Sequence, residues 1–213
     1  SVLARFDAEP RGGTLIGDTV AIDAASLSGD GRVLGSTDVT VRLTSDYTHT
    51  GELAANRHLH LSTTGTVTNH ATLSAGQSLT MNAGQLHNDA DGSLIAPTMV
   101  LQATDSTGLT NRGLIDGTDV RLVSPTINNL GSGRLYGDRL ALAADSVLNE
   151  AEGGNAPVIA ARTQLDIGTD QLSNRQGALI YSDGDLAIGR RLNEQGQATG
   201  SARRVDNHRS EER

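Results

Sequence analysis

The sequence predicts an all-β protein built as a right-handed parallel β-helix (solenoid) of about nine rungs, each of about 20 residues. Three repeated features lead to this fold class: pairs of apolar residues around one spacer, a motif that ends in Asn, and a further apolar column before each pair. The chain has 25 Gly among 213 residues, but one Phe, three Tyr and no Trp. Aliphatic side chains must therefore fill a thin core.

The paired apolar residues mark one strand in every rung. Successive pairs begin 19, 20, 20, 20, 21, 20, 25 and 21 residues apart. An apolar-spacer-apolar pattern has period 2, which is typical of a short strand with one buried face. The pairs are Val20/Ile22, Val39/Val41, Leu59/Leu61, Leu79/Met81, Met99/Leu101, Val120/Leu122, Leu140/Leu142, Leu165/Ile167 and Leu186/Ile188.

The second motif, apolar-x-Asn, follows the pairs. Asn tolerates the left-handed backbone region and bonds its own backbone at turns, and stacked Asn amides can bond along a rod. We therefore expect an Asn column at one corner of the solenoid. The copies are Val67-Thr-Asn69, Leu86-His-Asn88, Leu109-Thr-Asn111, Ile127-Asn-Asn129, Val147-Leu-Asn149 and Leu172-Ser-Asn174, with weaker copies at Leu27-Ser-Gly29 and Tyr47-Thr-His49.

A third apolar column precedes each pair by five or six residues. A unit with three such short strands cannot bury its apolar face alone, but it can when it is stacked on its copies. Rungs stacked about 4.8 Å apart give a rod about 40 Å long, and its predicted right-handed sense follows the general preference of parallel crossovers. The column contains Leu15, Leu34, Leu53, Leu73, Leu94, Leu114, Leu135, Ile159 and Ile180.

Two places interrupt the period. The step of 25 residues places extra chain near residues 150–157, where we expect a loop that bulges from the rod. Residues 189–204 lack the repeat and are expected to form an inserted loop or hairpin, after which Val205-Asp-Asn207 restores the apolar-x-Asn motif. The alternative for this last segment is a disordered tail.

The chain accordingly divides into three parts: an N-terminal lead-in or cap at residues 1–12, β-helix repeats at residues 13–188, and an inserted loop or hairpin with the start of a further rung at residues 189–213. Rungs cut at either end expose unpaired strand edges, and terminal repeats of solenoids usually need caps. We therefore predict that the chain self-associates end to end or is capped by its own first residues.

Composition excludes several classes of function. The net charge of −8 argues against a nucleic-acid partner, and the absence of Cys excludes disulfides and thiolate chemistry. No apolar run approaches the roughly 20 residues of a membrane span. Because there is neither an initiator Met nor a signal peptide, the chain is expected to be an interior piece of a longer protein.

The repeated text carries a family resemblance. The segments GELAANRHLHLSTTGTVTN (51–69), ATLSAGQSLTMNAGQLHN (71–88) and GRLYGDRLALAADSVLN (133–149) resemble the filamentous haemagglutinin repeats of two-partner-secretion exoproteins. This group includes large bacterial adhesins and the effector proteins of contact-dependent growth inhibition. The segment GQATGSARRVDNHRS (196–210) resembles a stretch that recurs in these repeats. The resemblance covers nearly the whole chain from about residue 13.

The resemblance implies a secreted rod on the bacterial outer cell surface. Such a rod leaves the cell through an outer-membrane transporter barrel and projects a receptor-binding region or a C-terminal toxin. The first hypothesis is accordingly a non-catalytic stalk or presenting segment. The alternative is a module that binds a target-cell receptor or surface glycan through the loops that interrupt the solenoid, and a glycan-active enzyme is a third hypothesis.

Histidines offer little for a metal site. His58 and His60 are two residues apart on one strand and should share its outward face, which could begin such a site. The matching outward positions on the neighbouring rungs are Thr40 and Thr80, so no third ligand is in register. We predict no metal and no other cofactor.

Acidic residues give no convincing catalytic pair. Asp116 and Asp138 lie at similar positions on adjacent rungs, and Asp183 and Asp185 lie near a turn. Glycan-degrading enzymes use such carboxylates, but long groove-forming loops and aromatic residues do not accompany them here. Ser28-Gly-Asp-Gly31 is a single partial match to a calcium-binding repeat, so calcium binding is not predicted. No catalytic residue is predicted, and we expect that the chain is not an enzyme.

Surface positions and arginines complete the candidates. The segment from Arg190 to the end of the chain carries carboxylates as well as arginines, so a solvated segment is favoured over a nucleic-acid arm. Binding usually occurs on loops that are held by a rigid scaffold. The candidate receptor-binding residues are therefore Arg190, Arg191, Arg203 and Arg204, which could meet an anionic glycan or lipopolysaccharide. The outward positions inside the pairs are mixed in character: Ala21, Thr40, His60, Thr80, Val100, Arg121, Ala141, Asp166 and Ala187.

Overall fold

A computed structural model of the chain describes residues 2–4 and 12–208. These residues form strands and no helix, so this part of the chain has no helix that could cross a membrane. In chain order the strands are β1 (Val2–Ala4), β2 (Thr14–Ala24), β3 (Arg32–Leu43), β4 (Tyr47–His49), β5 (Glu52–Ala55), β6 (His58–Ser62), β7 (Thr66–Asn69), β8 (Thr72–Ala75), β9 (Ser78–Ala83), β10 (Gln85–Asn88), β11 (Ser93–Ile95), β12 (Thr98–Ala103), β13 (Leu109–Asn111), β14 (Leu114–Asp116), β15 (Asp119–Val123), β16 (Thr126–Leu130), β17 (Arg134–Glu150), β18 (Val158–Arg175), β19 (Leu179–Ser182), β20 (Asp185–Gly189), β21 (Arg191–Leu192), β22 (Ala198–Thr199) and β23 (Arg204–His208).

The strands stack in parallel as a solenoid of about nine turns, which confirms the predicted fold class. Each turn has three faces. The first face contains strands such as β5 and β8, the pair face contains strands such as β6 and β9, and the asparagine face contains strands such as β7 and β10. β17 and β18 each run through all three faces without interruption, with an irregularity after Gly137 where the chain turns a corner. The right-handed sense remains the prediction made from the sequence.

The core consists of columns of aliphatic side chains at the inward positions. On the pair face, Leu59 stacks on Leu79 and Leu79 on Met99, and these three side chains are at most 1% exposed. The paired apolar column is therefore confirmed. Fully burying one such side chain contributes roughly 1.5–3 kcal/mol, so stacking provides each turn with stability that an isolated turn would lack.

Two members of the predicted third column are wrong. Val33, and not Leu34, lies in register with Leu53, and Ile115, and not Leu114, lies in register with Leu94. Val33 and Ile115 are buried, whereas their neighbours point outward and are partly exposed. In both places two apolar residues are adjacent, and strand alternation allows only one of them to face the core.

The last turn leaves inward positions open. Leu186, Ile188 and Val205 are 47%, 37% and 50% exposed, although they lie in register with the core residues of the turn before. No further turn within the described residues covers them. End-to-end self-association through this surface remains a prediction, and sedimentation velocity over a concentration series would test it.

At the other end, β1 pairs in parallel with β2, with Val2 opposite Val20. The remainder of the predicted cap, residues 1 and 5–11, lies outside the described residues. The proposed division of the chain after residues 12 and 188 also remains a prediction.

The Asn column forms a continuous ladder of side-chain hydrogen bonds. Each Nδ2 donates to the Oδ1 of the Asn one turn later, at distances from 2.7 to 2.9 Å. The first five members of the ladder, from Asn69 to Asn149, are at most 1% exposed. The ladder runs through Asn69, Asn88, Asn111, Asn129, Asn149, Asn174 and Asn207.

A second bond satisfies the amide group of most ladder members. The Nδ2 atoms of Asn88 and Asn149 also donate to backbone carbonyls that come shortly after the next ladder member along the chain, Leu114 O at 3.1 Å and Leu179 O at 3.0 Å. Both amide protons are thus paired in the interior, where an unpaired one would be costly. The ladder consequently joins each turn to the next through side chain and backbone together.

His49 continues this column in a turn that lacks Asn. It lies in register with Asn69 and is 2% exposed. Its Nε2 lies 3.2 Å from the carbonyl oxygen of Thr72 and its Nδ1 lies 2.9 Å from Tyr47 Oη. A carbonyl only accepts, so Nε2 carries the proton and the Tyr47 hydroxyl donates to Nδ1. Burial lowers the pKa of His49 and raises that of Tyr47, which favours these neutral forms.

Substitution Asn111→Ala should interrupt the ladder at its centre. Asn88 Nδ2 loses its acceptor and Asn129 Oδ1 loses its donor, and both atoms stay buried. We expect the free energy of unfolding to fall by about 2–4 kcal/mol, measured by urea denaturation followed by circular dichroism. Asn207→Ala is the control, because Asn207 is exposed at the end of the ladder. An equal loss in both variants would contradict a stabilising role for the buried ladder.

Acid should destabilise the chain through His49. Its pKa is lower in the folded than in the unfolded state, so below about pH 6.5 the unfolded chain takes up the proton more readily. The contribution of neutral His49 to the free energy of unfolding is therefore fully present above that pH and is lost as the pH falls. The double variant Tyr47→Phe/His49→Asn should lose less stability than the wild type between about pH 7.5 and about pH 5.

Urea midpoints at each pH would measure this difference. His208→Asn, at an exposed histidine, should keep the wild-type pH dependence. The same pH dependence in the double variant and in the wild type would refute the assignment.

Candidate functional site

An antiparallel hairpin leaves the solenoid after β20. β21 pairs with β22, and the backbone N–H of Arg190 donates to Thr199 O at 2.9 Å. At the tip, Asn193 accepts from Gly196 N through its carbonyl and from Gln197 N through its side chain, at 3.0 and 2.8 Å. We refer to residues 190–199 as the hairpin.

The solenoid resumes directly after the hairpin. In β23, Val205 pairs with Leu172 and Asn207 with Asn174 of the preceding turn. The hairpin is thus an insertion between two faces of one turn, and the stacking columns continue on either side of it.

The hairpin folds back along the rod over the pair face, and Asp166 holds it there. Asp166 occupies an outward position between Ala141 and Ala187, yet it is only 5% exposed. Its Oδ1 accepts the backbone N–H of Ala198 at 2.7 Å, and its Oδ2 accepts Gln164 Nε2 at 2.7 Å. Both carboxylate oxygens are paired, so the charge is stabilised beneath the hairpin.

Gly168 allows the hairpin to approach so closely. A Cβ at this outward position would lie 2.5 Å from the carbonyl carbon of Arg191 and 2.6 Å from the nitrogen of Leu192. Any other residue would displace the first strand of the hairpin. At the tip, a Cβ on Gly196 would lie 3.7 Å from Arg121 Nη1, so the hairpin reaches back to the turn that contains Arg121.

Two grooves flank the hairpin. The tip groove, of about 390 Å³, lies towards the starts of the pair-face strands and is lined by polar side chains that include Gln164, Gln195 and Gln197. The arginine groove, of about 470 Å³, lies towards the ends of these strands. It is lined by Gln102, Thr104, Arg121, Asp145, Arg190 and Arg191, together with neighbouring backbone and apolar residues. Arg121 lines both grooves.

Three of the four arginines selected from the sequence form ion pairs. Arg190 Nε lies 3.0 Å from Asp170 Oδ1, and Arg203 Nη2 lies 3.4 Å from Asp170 Oδ2. Arg204 Nε lies 2.7 Å from Asp206 Oδ2. Arg191 is exposed in the arginine groove and has no carboxylate partner among the described residues. The four therefore do not form one free cationic cluster.

Arg121 was not selected as a binding residue from the sequence. Its outward position follows from the paired apolar residues, but its place beneath the hairpin depends on where the insertion folds. The hydrogen bonds and ion pairs of the described residues do not include its guanidinium. No local signal marks Arg121, because its partners in the groove come from a segment about 70 residues later in the chain.

The loop at residues 150–157 also folds back along the rod. Glu152 and Asn155 form an isolated antiparallel bridge. Glu152 binds Arg112 in a bidentate ion pair, with Nε–Oε2 at 2.5 Å and Nη2–Oε1 at 3.0 Å. This pair lowers the pKa of Glu152. The loop is thus tied to the surface by a pair whose charges are already satisfied.

Among the other candidates, Asp138 forms an ion pair with Arg162, which also lies within electrostatic range of Asp116 and Asp183. His58 and His60 share an outward face as expected, and His58 Nδ1 lies 2.7 Å from Ser78 Oγ. Asp116 lies in register with Tyr136, so the suggested alignment with Asp138 is wrong. No group of three or more His, Asp or Glu side chains in the described part of the chain could hold a metal ion.

Comparison with known proteins finds two CdiA proteins. The chain is 30% identical over 169 residues to the tRNA nuclease CdiA of Escherichia coli (strain STEC_O31). The aligned region is 78% of this chain and 5% of that protein. It is 32% identical over 121 residues to Toxin CdiA of Yersinia pestis, and this aligned region is 52% of the chain and 4% of that protein. No protein-family model and no solved structure matches the chain. The similarity is consistent with a region of the CdiA or filamentous haemagglutinin type.

Substitution Asp166→Ala should release the hairpin. The Ala198 N–H would lose a charge-assisted bond, which contributes roughly 1.5–3 kcal/mol. We expect amide exchange at Ala198 to accelerate at least about tenfold, and trypsin to cut more readily at Arg190 and Arg191, while the solenoid amides keep their protection. Asp185→Ala removes the same charge one turn later, at an exposed residue, and should leave both measurements unchanged. Unchanged exchange in Asp166→Ala would contradict the latch.

Proposed function

We propose that this chain is a non-catalytic stalk or presenting segment of a secreted, cell-surface exoprotein of the filamentous adhesin or contact-dependent growth inhibition type. The observation that carries the proposal is the uninterrupted stacking of core columns and Asn ladder through the solenoid. A rod of this kind holds what it carries away from the cell, because its core columns join each turn only to the turns next to it.

The similarity to two CdiA proteins supports the setting of this proposal. In that setting the chain is exported through an outer-membrane transporter barrel and displayed on the bacterial surface. The nuclease activity in the name of one relative is not carried over to this chain, because the alignment covers 5% of that protein. Asp138 is paired with Arg162, which also lies within electrostatic range of Asp116 and Asp183, and carboxylates held by such a cation favour a non-catalytic role.

A second candidate function is recognition of a receptor or surface glycan on a target cell. The hairpin favours it, since it adds two grooves to an otherwise regular face. Asp166 and Gly168 fix the hairpin on a rigid sheet, which is the arrangement that binding loops commonly use.

Binding of the labelled chain to cells separates the two functions. The purified chain would be titrated onto a panel of bacterial and animal cells, with and without surface glycans removed. The stalk predicts no saturable binding to any cell while circular dichroism shows a folded β-rich chain. Saturable binding to one cell type would contradict a purely presenting role.

A variant then tests whether the hairpin carries any binding. Residues 190–203 would be replaced by a short Gly-Ser connection, which leaves β20 and β23 in place. If the hairpin forms the receptor site, this variant loses binding. Retained binding would place the receptor site elsewhere on the rod.

A further inference from the structure

The arginine groove contains two guanidinium groups that form no ion pair with a carboxylate of the described residues. Arg121 and Arg191 both line it, and in the described ranges the guanidinium group of neither forms a hydrogen bond or an ion pair. Arg190 also borders the groove but is paired with Asp170. In a chain with a net charge of −8, such a concentration of free guanidinium groups is a local exception.

The two free arginines come from separate parts of the fold that are each held in place. Arg121 lies on β15, which pairs in register with β12 and β17. Arg191 lies on β21, whose backbone contacts the sheet at Gly168. Their backbone positions are therefore fixed before any ligand arrives, which reduces the entropy that binding must overcome.

Guanidinium groups recognise planar or tetrahedral anions because their N–H groups match two oxygens at once. The other groove side chains are suited to neutral hydroxyl groups. The Gln102 amide is exposed and can both donate and accept, and the exposed Asp145 carboxylate can accept. A groove of about 470 Å³ is within the range of small-molecule sites, so it has room for more than a bare ion.

We propose that the arginine groove binds an acidic sugar residue, with Arg121 and Arg191 holding its carboxylate or phosphate and with Gln102 and Asp145 contacting its hydroxyl groups. This inference rests on the second proposed function and specifies its ligand class. It differs from the site suggested by the sequence, because Arg190, Arg203 and Arg204 are paired and Arg121 takes their place.

The test is titration of the whole chain by isothermal calorimetry at low salt with three probes. Tetragalacturonate supplies carboxylates, mannose 6-phosphate supplies a phosphate, and maltotetraose is neutral. We expect at least one acidic probe to bind and maltotetraose not to bind. Binding of only the carboxylate or only the phosphate probe identifies which anion the groove holds. Equal binding of maltotetraose, or no binding of either acidic probe, would overturn the proposal.

The double variant Arg121→Gln/Arg191→Gln should weaken the binding of the acidic probe at least tenfold. The matched control is Arg42→Gln/Arg57→Gln, which removes two exposed arginines that also lack ion pairs within the described residues. The control should bind as the wild type does. Equal loss in both double variants would show unspecific attraction between charges and would refute the site.

The cell assay distinguishes this inference from the function on which it rests. If the chain binds cells saturably but binds neither acidic probe, the receptor function stands and the acidic-sugar site is wrong. If an acidic probe binds in the groove but no cell is bound, the site stands and the receptor function is wrong.

Discussion

Hydrogen bonds between stacked asparagine side chains fix the register of this solenoid. Apolar columns alone would tolerate some sliding, since Leu, Val, Ile and Met replace one another along them. The amides do not, because each buried Nδ2 needs the Oδ1 of the next turn. A slip of one residue would turn the apolar side chains outward together with every Asn, so the columns already exclude it. A slip of two residues keeps the same side chains inward but places each Asn beside an apolar residue, for example Asn88 beside Leu109. The ladder therefore selects one arrangement among several that would bury similar apolar area.

That constraint acts only on inward positions, so the outward positions are free to vary. On the pair face the residues Thr80, Val100, Arg121 and Ala141 follow one another on successive turns without changing the backbone beneath them. Specificity can consequently be added to the surface of the rod while its core is unaltered. The hairpin is such an addition, since Asn174 and Asn207 remain bonded across it.

Much of the fold could be predicted from the sequence because inward positions repeat, and repetition is visible without a structure. The two wrong core assignments, Leu34 and Leu114, involve adjacent apolar residues, where spacing alone cannot say which one faces inward. His49 was recognised only as a weak copy, because its burial depends on Tyr47 as a hydrogen-bond partner. The direction of the hairpin could not be predicted, because it depends on contacts between distant residues rather than on any period.

Two residues decide where the hairpin lies. The position of Gly168 is occupied by Gln102, Val123 and Ala143 on the three preceding turns, and each of these carries a Cβ where the hairpin backbone would have to pass. Asp166 supplies the acceptor that the Ala198 N–H needs, and the preceding turns have no carboxylate at that position. None of these three earlier turns can therefore accept the hairpin at this depth. The following turn has Gly189 at the equivalent position, where a Cβ would lie 2.7 Å from Thr199 O. The entropic cost of closing a loop grows slowly with its length. The docking contacts of the hairpin therefore have only a small entropic cost to offset.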